Sequence, residues 1–347
     1  MCSSDLDAPK PAIITFEVPG AGTDGNQGTV GLGMNAAGVI TGLYTDANNL
    51  SHGYVRNVDG TITTFDVPAA GTGAGQGTWP QSINDSGAIA GLYYDSNNVT
   101  HGFVRSASGV FSTFPCQLAT NSPVGGGAAM IINTGGIVSG YCANDTGAFY
   151  GFVRSAAGTI KKINVIGAGT AANQGTFGSS INDGSMLSGF YIDYHGIYHG
   201  LTGTLGGLIN FIDVAGAGNV AGQGTYTTSI NAGGTVSGTY IDPSFVYHGF
   251  VMTKEGLETP FDVPDTGTAA GQGTYSAFIN KAGAIVGTYV DPNYLNHGFR
   301  RAANGTITSF DCPYDNGTWA FSMNATGMIT GFCYDTNGAF HAYLVTP

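Results

Sequence analysis

Six times along the chain an aspartate is followed six residues later by a histidine: Asp46 and His52, Asp95 and His101, Asp193 and His199, Asp242 and His248, Asp291 and His297, Asp335 and His341. A carboxylate beside an imidazole can move a proton, and with further ligands it can hold a metal. One histidine and one carboxylate per copy fall short of the three or four ligands that zinc takes. Six equivalent acid-base pairs also suit a single active centre poorly. A structural hydrogen bond from the ring N–H to the carboxylate, contributing about 1.5 to 3 kcal/mol, is a use that repetition multiplies. Where a seventh pair is due, Asn144 and Tyr150 replace both members together, so the two positions are coupled. The pairs are therefore read as structural, with ligand or metal binding and catalysis as the alternatives.

The pairs recur because the whole chain recurs. Phe16, Phe65, Phe114, Ile163, Ile212, Phe261 and Phe310 follow one another at intervals of 49, so seven units account for nearly all of the 347 residues. A fixed period of this size marks a propeller or another repeat array. Within residues 77–118 four short segments, "GTWPQSIN", "AIAGLYYD", "HGFVRSA" and "VFSTFPC", are rich in β-branched and aromatic residues and are separated by turn residues. They are too short for helices and show no helical period. The expected fold is all-β: a seven-bladed β-propeller of four-stranded antiparallel blades, residues 12–347 forming one domain. The chain enters on a fourth-type strand, "IITFEVP", and leaves on a third-type strand, "HAYLVTP". Pairing of these ends would complete the last blade and close the ring. Residues 1–11 stand outside the repeat as a disordered or non-native leader; "MCSSDL" reads like a translated sequencing adapter, so no secretion signal is expected to be legible there.

Up-and-down blades place the loops after strands two and four at one end, and these are the long ones, such as "DSNNVT" and "PAAGTGAGQGT". Recognition is expected on that face. Its candidate ligand-binding residues are Gln27, Gln76, Asn97, Asn98, Gln174, Gln223 and Gln272, with clamping of the loops as the alternative for the glutamines. Tyr94, Trp79, Tyr226 and Tyr275 could stack on sugar rings or pack between blades. His195 is the one histidine outside the pattern, and with Tyr194 and Asp193 it forms the proton-transfer candidate should the protein be an enzyme. Lys161 and Lys162 also break the pattern and are expected as solvated charges on the opposite face. Glycine-rich stretches such as "GAGTDGNQGT" imitate a dinucleotide fingerprint, but a strand follows where that motif needs a helix.

Charged residues make up only 9% of the chain, the net charge is -12, and no basic run occurs. Nucleic-acid binding, which needs clustered lysine and arginine, is not expected. No apolar run approaches the ~20 residues of a membrane helix. No cofactor is expected, although Ca²⁺ among the Asp and Asn loop residues is an option. Cys116 and Cys312 lie 196 residues apart, four times 49, and Cys142 and Cys333 lie 191 apart, the last long loop "CPYDNGT" being shorter by five. Matched positions in two units predict the disulfides Cys116 with Cys142 and Cys312 with Cys333, contributing about 3 kcal/mol each. Such bonds place the protein outside the cytosol: extracellular, on the cell surface or periplasmic.

The repeated "SINDSGAIAGLYYD" and "HGFVRSASG", with "AFHAYL" at the end, resemble the extracellular HAF repeats, named for a His-Ala-Phe motif. The resemblance spans all seven units, although most copies read His-Gly-Phe or His-Gly-Tyr and only His341 is followed by Ala342 and an aromatic. It implies a propeller-like extracellular protein and hands over no catalytic residues. The Gly-His and Asp elements are also similar to tryptophan-aspartate repeats, whose His and Asp belong to a structural network, but the tryptophan of that network is missing here. The expected function is a non-catalytic extracellular binding module, multivalent for a glycan or another polymer. The alternatives are a polysaccharide lyase or hydrolase with its site near the fourth blade, and a self-associating structural surface protein.

Overall fold

The computed structural model describes residues 12–116, 131–314 and 316–347, so the leader at 1–11 lies outside the described residues. These residues form 28 strands and no helix, a number that fits seven four-stranded units. The first strand, β1 (Ala12–Phe16), precedes a unit made of β2 (Gly28–Met34), β3 (Ile40–Thr45), β4 (Ser51–Arg56) and β5 (Ile62–Phe65). Within it each strand pairs antiparallel with the next. The turns between β2 and β3 and between β4 and β5 close on Gly38 and Gly60, both at φ 89°, a conformation that costs glycine nothing.

Five of the units are stitched to the one before by the Gln-Gly-Thr sequence that starts their first strand. Gly77, at φ 111°, makes a parallel bridge to Ser51 of the preceding unit, and a Cβ there would overlap the Ser51 carbonyl. Thr78 then accepts a hydrogen bond at 2.9 Å from the buried Val67 N–H, and Thr29, Thr176, Thr225 and Thr274 repeat this contact. Glycine supplies the close approach; threonine satisfies a donor that would otherwise be buried without a partner.

Alternation along each strand sends every second side chain into the space between units. Tyr54, Phe103, Phe152, Phe250 and Phe299 are fully buried there. Phe103, for example, packs on Val67, Ile83 and Phe65. Arg56, Arg105, Arg154 and Arg301 lie over the rings of Phe16, Phe65, Phe114 and Phe261 in the preceding unit, at 4.7 to 5.4 Å from the ring centres. The usual interface is thus an aromatic pair capped by a cation.

A second ring of contacts is not anticipated from the sequence. Each first strand ends in an asparagine whose Oδ1 accepts from its own turn, as in Val39 N–H to Asn35 and Ala88 N–H to Asn84. Its Nδ2 donates to the carbonyl of the equivalent asparagine one unit on: Asn35 to Asn84, then to Asn133, Asn182, Asn231, Asn280 and Asn324, at 2.8 to 3.4 Å. Asn324 donates to Ala36 at 3.5 Å. These asparagines line a cavity of about 270 Å³ at the short-turn end.

At the chain ends, β1 pairs antiparallel with the strand Phe340–Thr346, from Ala12 opposite Thr346 to Phe16 opposite Ala342. That strand also meets β2 through a parallel bridge between Gly28 and Phe340. Both predicted disulfides, Cys116 with Cys142 and Cys312 with Cys333, are present.

Candidate functional site

The loop from the second to the third strand of a unit is shaped by its aspartate. In the first unit Asp46 Oδ1 accepts from the N–H groups of Asn48 and Leu50, and Asn49 takes a left-handed φ of 60°. Asp95, Asp193, Asp242, Asp291 and Asp335 do the same in their own loops. Asn144 substitutes in the third unit with the same two bonds, because its amide oxygen accepts as a carboxylate does.

With one oxygen committed to the turn, the aspartate has the other for the histidine, but it is seldom the nearer partner. His52 Nε2 is 3.8 Å from Asp46, whereas its Nδ1 donates to Asp66 at 3.0 Å. Asp66 follows the fourth strand and was not among the residues singled out from the sequence. The same second carboxylate serves His199 through Asp213 at 2.8 Å, His248 through Asp262 at 3.0 Å, His297 through Asp311 at 2.8 Å, and His341 through Glu17. A carboxylate only accepts, so the Nδ1 carries the proton. His101 is the exception that fixes the rule. Pro115 stands where the second carboxylate would be, and His101 turns its Nε2 to Asp95 at 3.1 Å.

Each imidazole is also stacked on the tyrosine across the strand pair. Tyr44, Tyr93, Tyr191, Tyr240 and Tyr289 lie 4.7 to 4.9 Å from their histidines, and Tyr314 takes this place for His341 at 4.2 Å. In the third unit, where Tyr150 replaces histidine and Asn164 the second carboxylate, the Lys162 ammonium sits 4.0 Å above the Tyr150 ring. Lys162 is therefore a ring partner rather than the purely solvated charge expected, and Lys161 donates to Leu205 O of the next unit at 3.1 Å.

In four of the aspartates that shape the turns, hydrogen bonding favours the ionised carboxylate. For Asp95 the Val99 N–H, and after it the His101 ring, hold the carboxyl below its usual range. For Asp46, Asp291 and Asp335 burial pushes upward, but the turn N–H bonds outweigh it and the result is again a lowered value. Glu17 goes the other way because burial dominates its bonds to Thr29 and His341.

The glutamines join the two long loops of a unit. Gln76 Oε1 accepts from Gly73 N–H at 2.9 Å while its Nε2 donates to Asn98 Oδ1 at 3.0 Å. Gln27 reaches Asn49, Gln174 reaches the Tyr194 carbonyl, Gln223 the Pro243 carbonyl and Gln272 the Pro292 carbonyl. Both ends of these amides are thus engaged within the protein. Asn97 is exposed in the same turn. Of the aromatic candidates, Trp79 and Tyr226 pack against the buried cluster of Leu92, Tyr141, Phe149 and Phe177, and Tyr94 packs on Trp79 at 5.6 Å. Tyr275 stacks on Tyr247 at 4.2 Å.

Other rings meet the solvent on this face. Tyr194, Phe245 and Tyr294, in the second-to-third-strand loops of the fourth, fifth and sixth units, are 71%, 40% and 60% exposed. Phe245 and Tyr294 occupy the left-handed position of the turn, at φ 62° and 65°, where the other units place Asn49, Asn98, Gly147, Gly196 and Gly338. The signal was present in the sequence as a bulky residue three places after Asp242 and Asp291, where the other turns have asparagine or glycine. The His195 ring lies against Tyr194, tilted by 43° at 3.8 Å between ring centres, and Asp193 meets residue 195 through its backbone N–H. Among the described residues no group of three or more His, Cys, Asp or Glu side chains is arranged to hold a metal ion.

No family model matches the chain, and no curated protein matches it. Solved structures do. A streptogramin B lyase is similar with a TM-score of 0.60 and 15% identity, over 97% of this chain and 98% of that one. The BP39L lectin from Burkholderia pseudomallei gives 0.58 at 10% identity, over 89% and 93%. The β-propeller domain of the Trilobed protease from Pyrococcus furiosus, described as having an open velcro topology, gives 0.57 at 9% identity, over 91% and 95%. The fold is a β-propeller. Its units are blades, the asparagine-lined cavity lies at the short-turn end of their first strands, and the histidines and exposed rings belong to the opposite, long-loop face.

Proposed function

We propose that this chain is a non-catalytic extracellular module that binds a neutral or basic glycan through repeated contacts on the long-loop face of a seven-bladed propeller, closed by β1 on the last blade. The observation that carries this reading is the pair Phe245 and Tyr294. A bulky side chain at positive φ costs about 1 to 2 kcal/mol, and rings left 40% and 60% exposed, with only the Tyr294 hydroxyl donating to Ala270 O, recover just part of it within the protein. A flat polar-apolar ligand such as a sugar chain that covers the rings would account for their placement, and Tyr194 on the neighbouring blade extends the row. The surrounding field selects the charge of the ligand. The ten aspartates and one glutamate that contact the histidines are half of the 22 acidic residues in the chain, so anionic polymers are repelled. Weak contacts on adjacent blades gain avidity when the ligand itself repeats. A lectin among the propellers of similar fold supports the reading at that coarse level. The two disulfides, together with the lack of any helix among the described residues long and apolar enough to cross a membrane, are compatible with an extracellular or periplasmic location.

Affinity electrophoresis through gels containing galactomannan, xylan, mixed-linkage glucan or chitosan tests this. Retardation in at least one gel, lost in a Tyr194→Ala, Phe245→Asn, Tyr294→Asn variant, is expected. Unretarded migration in all of them would sink the proposal. Turnover of a retained polymer that vanishes in His195→Ala would instead favour the lyase or hydrolase alternative, and assembly that grows with protein concentration the self-associating one.

A further inference from the structure

Of the usual aromatic pair and its cation, the fourth-to-fifth interface, with Ile212 and Met252, keeps Phe250, and the last, with Val345, keeps Phe310 and Tyr343. The interface between the third and fourth blades departs from all three elements. The phenylalanine at the end of the preceding fourth strand is Ile163, the large ring of the third strand is Leu201, and the capping arginine is Gly203. Where Phe103 packs on Phe65 beneath Arg105, this interface places the aliphatic cluster of Val153, Ile181 and Leu187 with Ile131, Ile137 and Ile163, while Phe152 and Phe177 border the space that remains. The backbone keeps its spacing, so the missing volume is not recovered. A Cβ built on Gly53 would meet Phe65 at 2.7 Å and one on Gly249 would meet Phe261 at 2.6 Å, whereas on Gly151 the nearest atom is Thr176 Cγ2 at 3.4 Å. A cavity of about 410 Å³ results, within the size range of small-molecule sites.

Its chemistry is set by few groups. Val153, Ile163, Leu187, Leu201 and Ile209 form apolar walls, and Lys161 lies at the rim. Alternation along the strand Ile160–Ile163 turns Lys161 to the same side as Ile163, toward the fourth blade, which is why its ammonium reaches Leu205 O. The equivalent residue is Thr63, Ser112, Asn210, Thr259 or Thr308 in the other blades, so the cation belongs to this cavity and not to the repeat. What the interface lacks, relative to Phe65, Phe103 and Arg105, is the ring pair and its capping cation, although Phe152 and Phe177 line part of the wall; what it has gained is Lys161 at the mouth, with Lys162 beside it, in a chain with only 10 lysines and arginines.

We infer that the space between the third and fourth blades is a binding site for a small carboxylate with an aromatic or short aliphatic body, its apolar part filling the place of the missing ring and its acid group paired with Lys161. Turns 155–159 and 204–208, which border it, join third to fourth strands and so lie at the end opposite the long loops. The site is therefore independent of the glycan face.

Isothermal titration of the full chain with 3-phenylpropionate, octanoate and the neutral 3-phenylpropionamide tests it. The wild type is expected to bind both acids saturably at submillimolar to millimolar concentration, the ring acid more tightly than its amide. Lys161→Thr should weaken the acids about tenfold and leave the amide unchanged, as loss of one charge-assisted contact predicts. Leu201→Phe with Gly203→Arg, which installs the pair found as Phe103 with Arg105, Phe152 with Arg154 and Phe299 with Arg301, should abolish binding of all three without lowering the melting temperature; Ile163→Phe alone gives the same readout should the double variant fail to fold. Absence of saturable binding of either acid to the wild type, or binding that survives filling of the cavity, would overturn the inference.

Discussion

Asp95 shows how one side chain serves two roles at once: its Oδ1 shapes the turn and its Oδ2 takes the His101 ring. Because these bonds lower its pKa, it contributes stability that is present above the ordinary aspartate value and is lost as pH falls through the lowered one. Asp46, Asp291 and Asp335 act in the same direction, while Glu17, raised by burial, opposes them. The melting temperature is thus expected to drop as pH is taken below about 4. Asp95→Asn keeps the turn bonds, as Asn144 does naturally, but not the stability of the ionised carboxylate, so it should lower the melting temperature at pH 7 and flatten the acid drop by the same amount. Calorimetry of both proteins between neutral and strongly acidic pH checks this. Phe245 and Tyr294 make the opposite kind of prediction. Asparagine at either position should stabilise the fold by about 1 kcal/mol, since it accepts a left-handed φ more readily. A fall in the urea midpoint for Phe245→Asn would contradict the strain argument on which the glycan reading rests.

The loops are held as pairs, and the way each is held varies by blade. Gln76 ties two loops of its own blade together by an amide, whereas Cys116 with Cys142 and Cys312 with Cys333 pin the start of the long loop covalently to the second strand of the blade that follows, over separations of 26 and 21 residues. Closing loops of this size contributes about 3 kcal/mol in the chain-entropy model. Cys312→Ser with Cys333→Ser should therefore lower stability by a few kcal/mol, read from denaturant unfolding, while Gln76→Ala should lower it by about 1 to 3 kcal/mol because it strands Gly73 N–H and Asn98. Equal and negligible effects of both would mean that the long loops are not part of the cooperative unit.

For the molecule as a whole, the contacts that matter are those joining residues far apart in sequence. Met34 to Ser322 and Asn324 to Ala36 each span 288 positions, and β1 lies on the last strand across more than 320. Removing residues 12–16 would leave the strand Phe340–Thr346 with an unpaired edge, so the shortened protein is expected to melt lower and to associate through that edge. Size-exclusion chromatography and thermal melts of this variant decide the matter; a monomer as stable as the full chain would show that β1 contributes nothing to closure. Breaking the asparagine circle has a different signature. Asn182→Ala removes the cap of its own turn and the donor to Asn231 together, and is expected to cost about 2 to 3 kcal/mol at a site remote from the long loops.

The repeat, the strand content and the disulfide pairing were legible in the sequence because each is a matter of spacing: a period of 49, turn residues between apolar runs, and cysteines at matched offsets. The coupled replacement at Asn144 and Tyr150 even pointed to the aspartate and histidine as partners. Only the folded chain decided which carboxylate is nearer to each imidazole, because Asp66 reaches His52 through the pairing of β4 with β5, a distance that 14 residues of separation do not reveal. The asparagine circle was hidden for a like reason: its bonds run between units, and sequence order within a unit says nothing of what faces its neighbour. The same holds for the space beside Lys161. Ile163, Leu201 and Gly203 are ordinary residues when read singly, and they become an opening only when two blades pack and bring three truncations to one place. Local spacing determined the units; the geometry between units determined where the surface can bind.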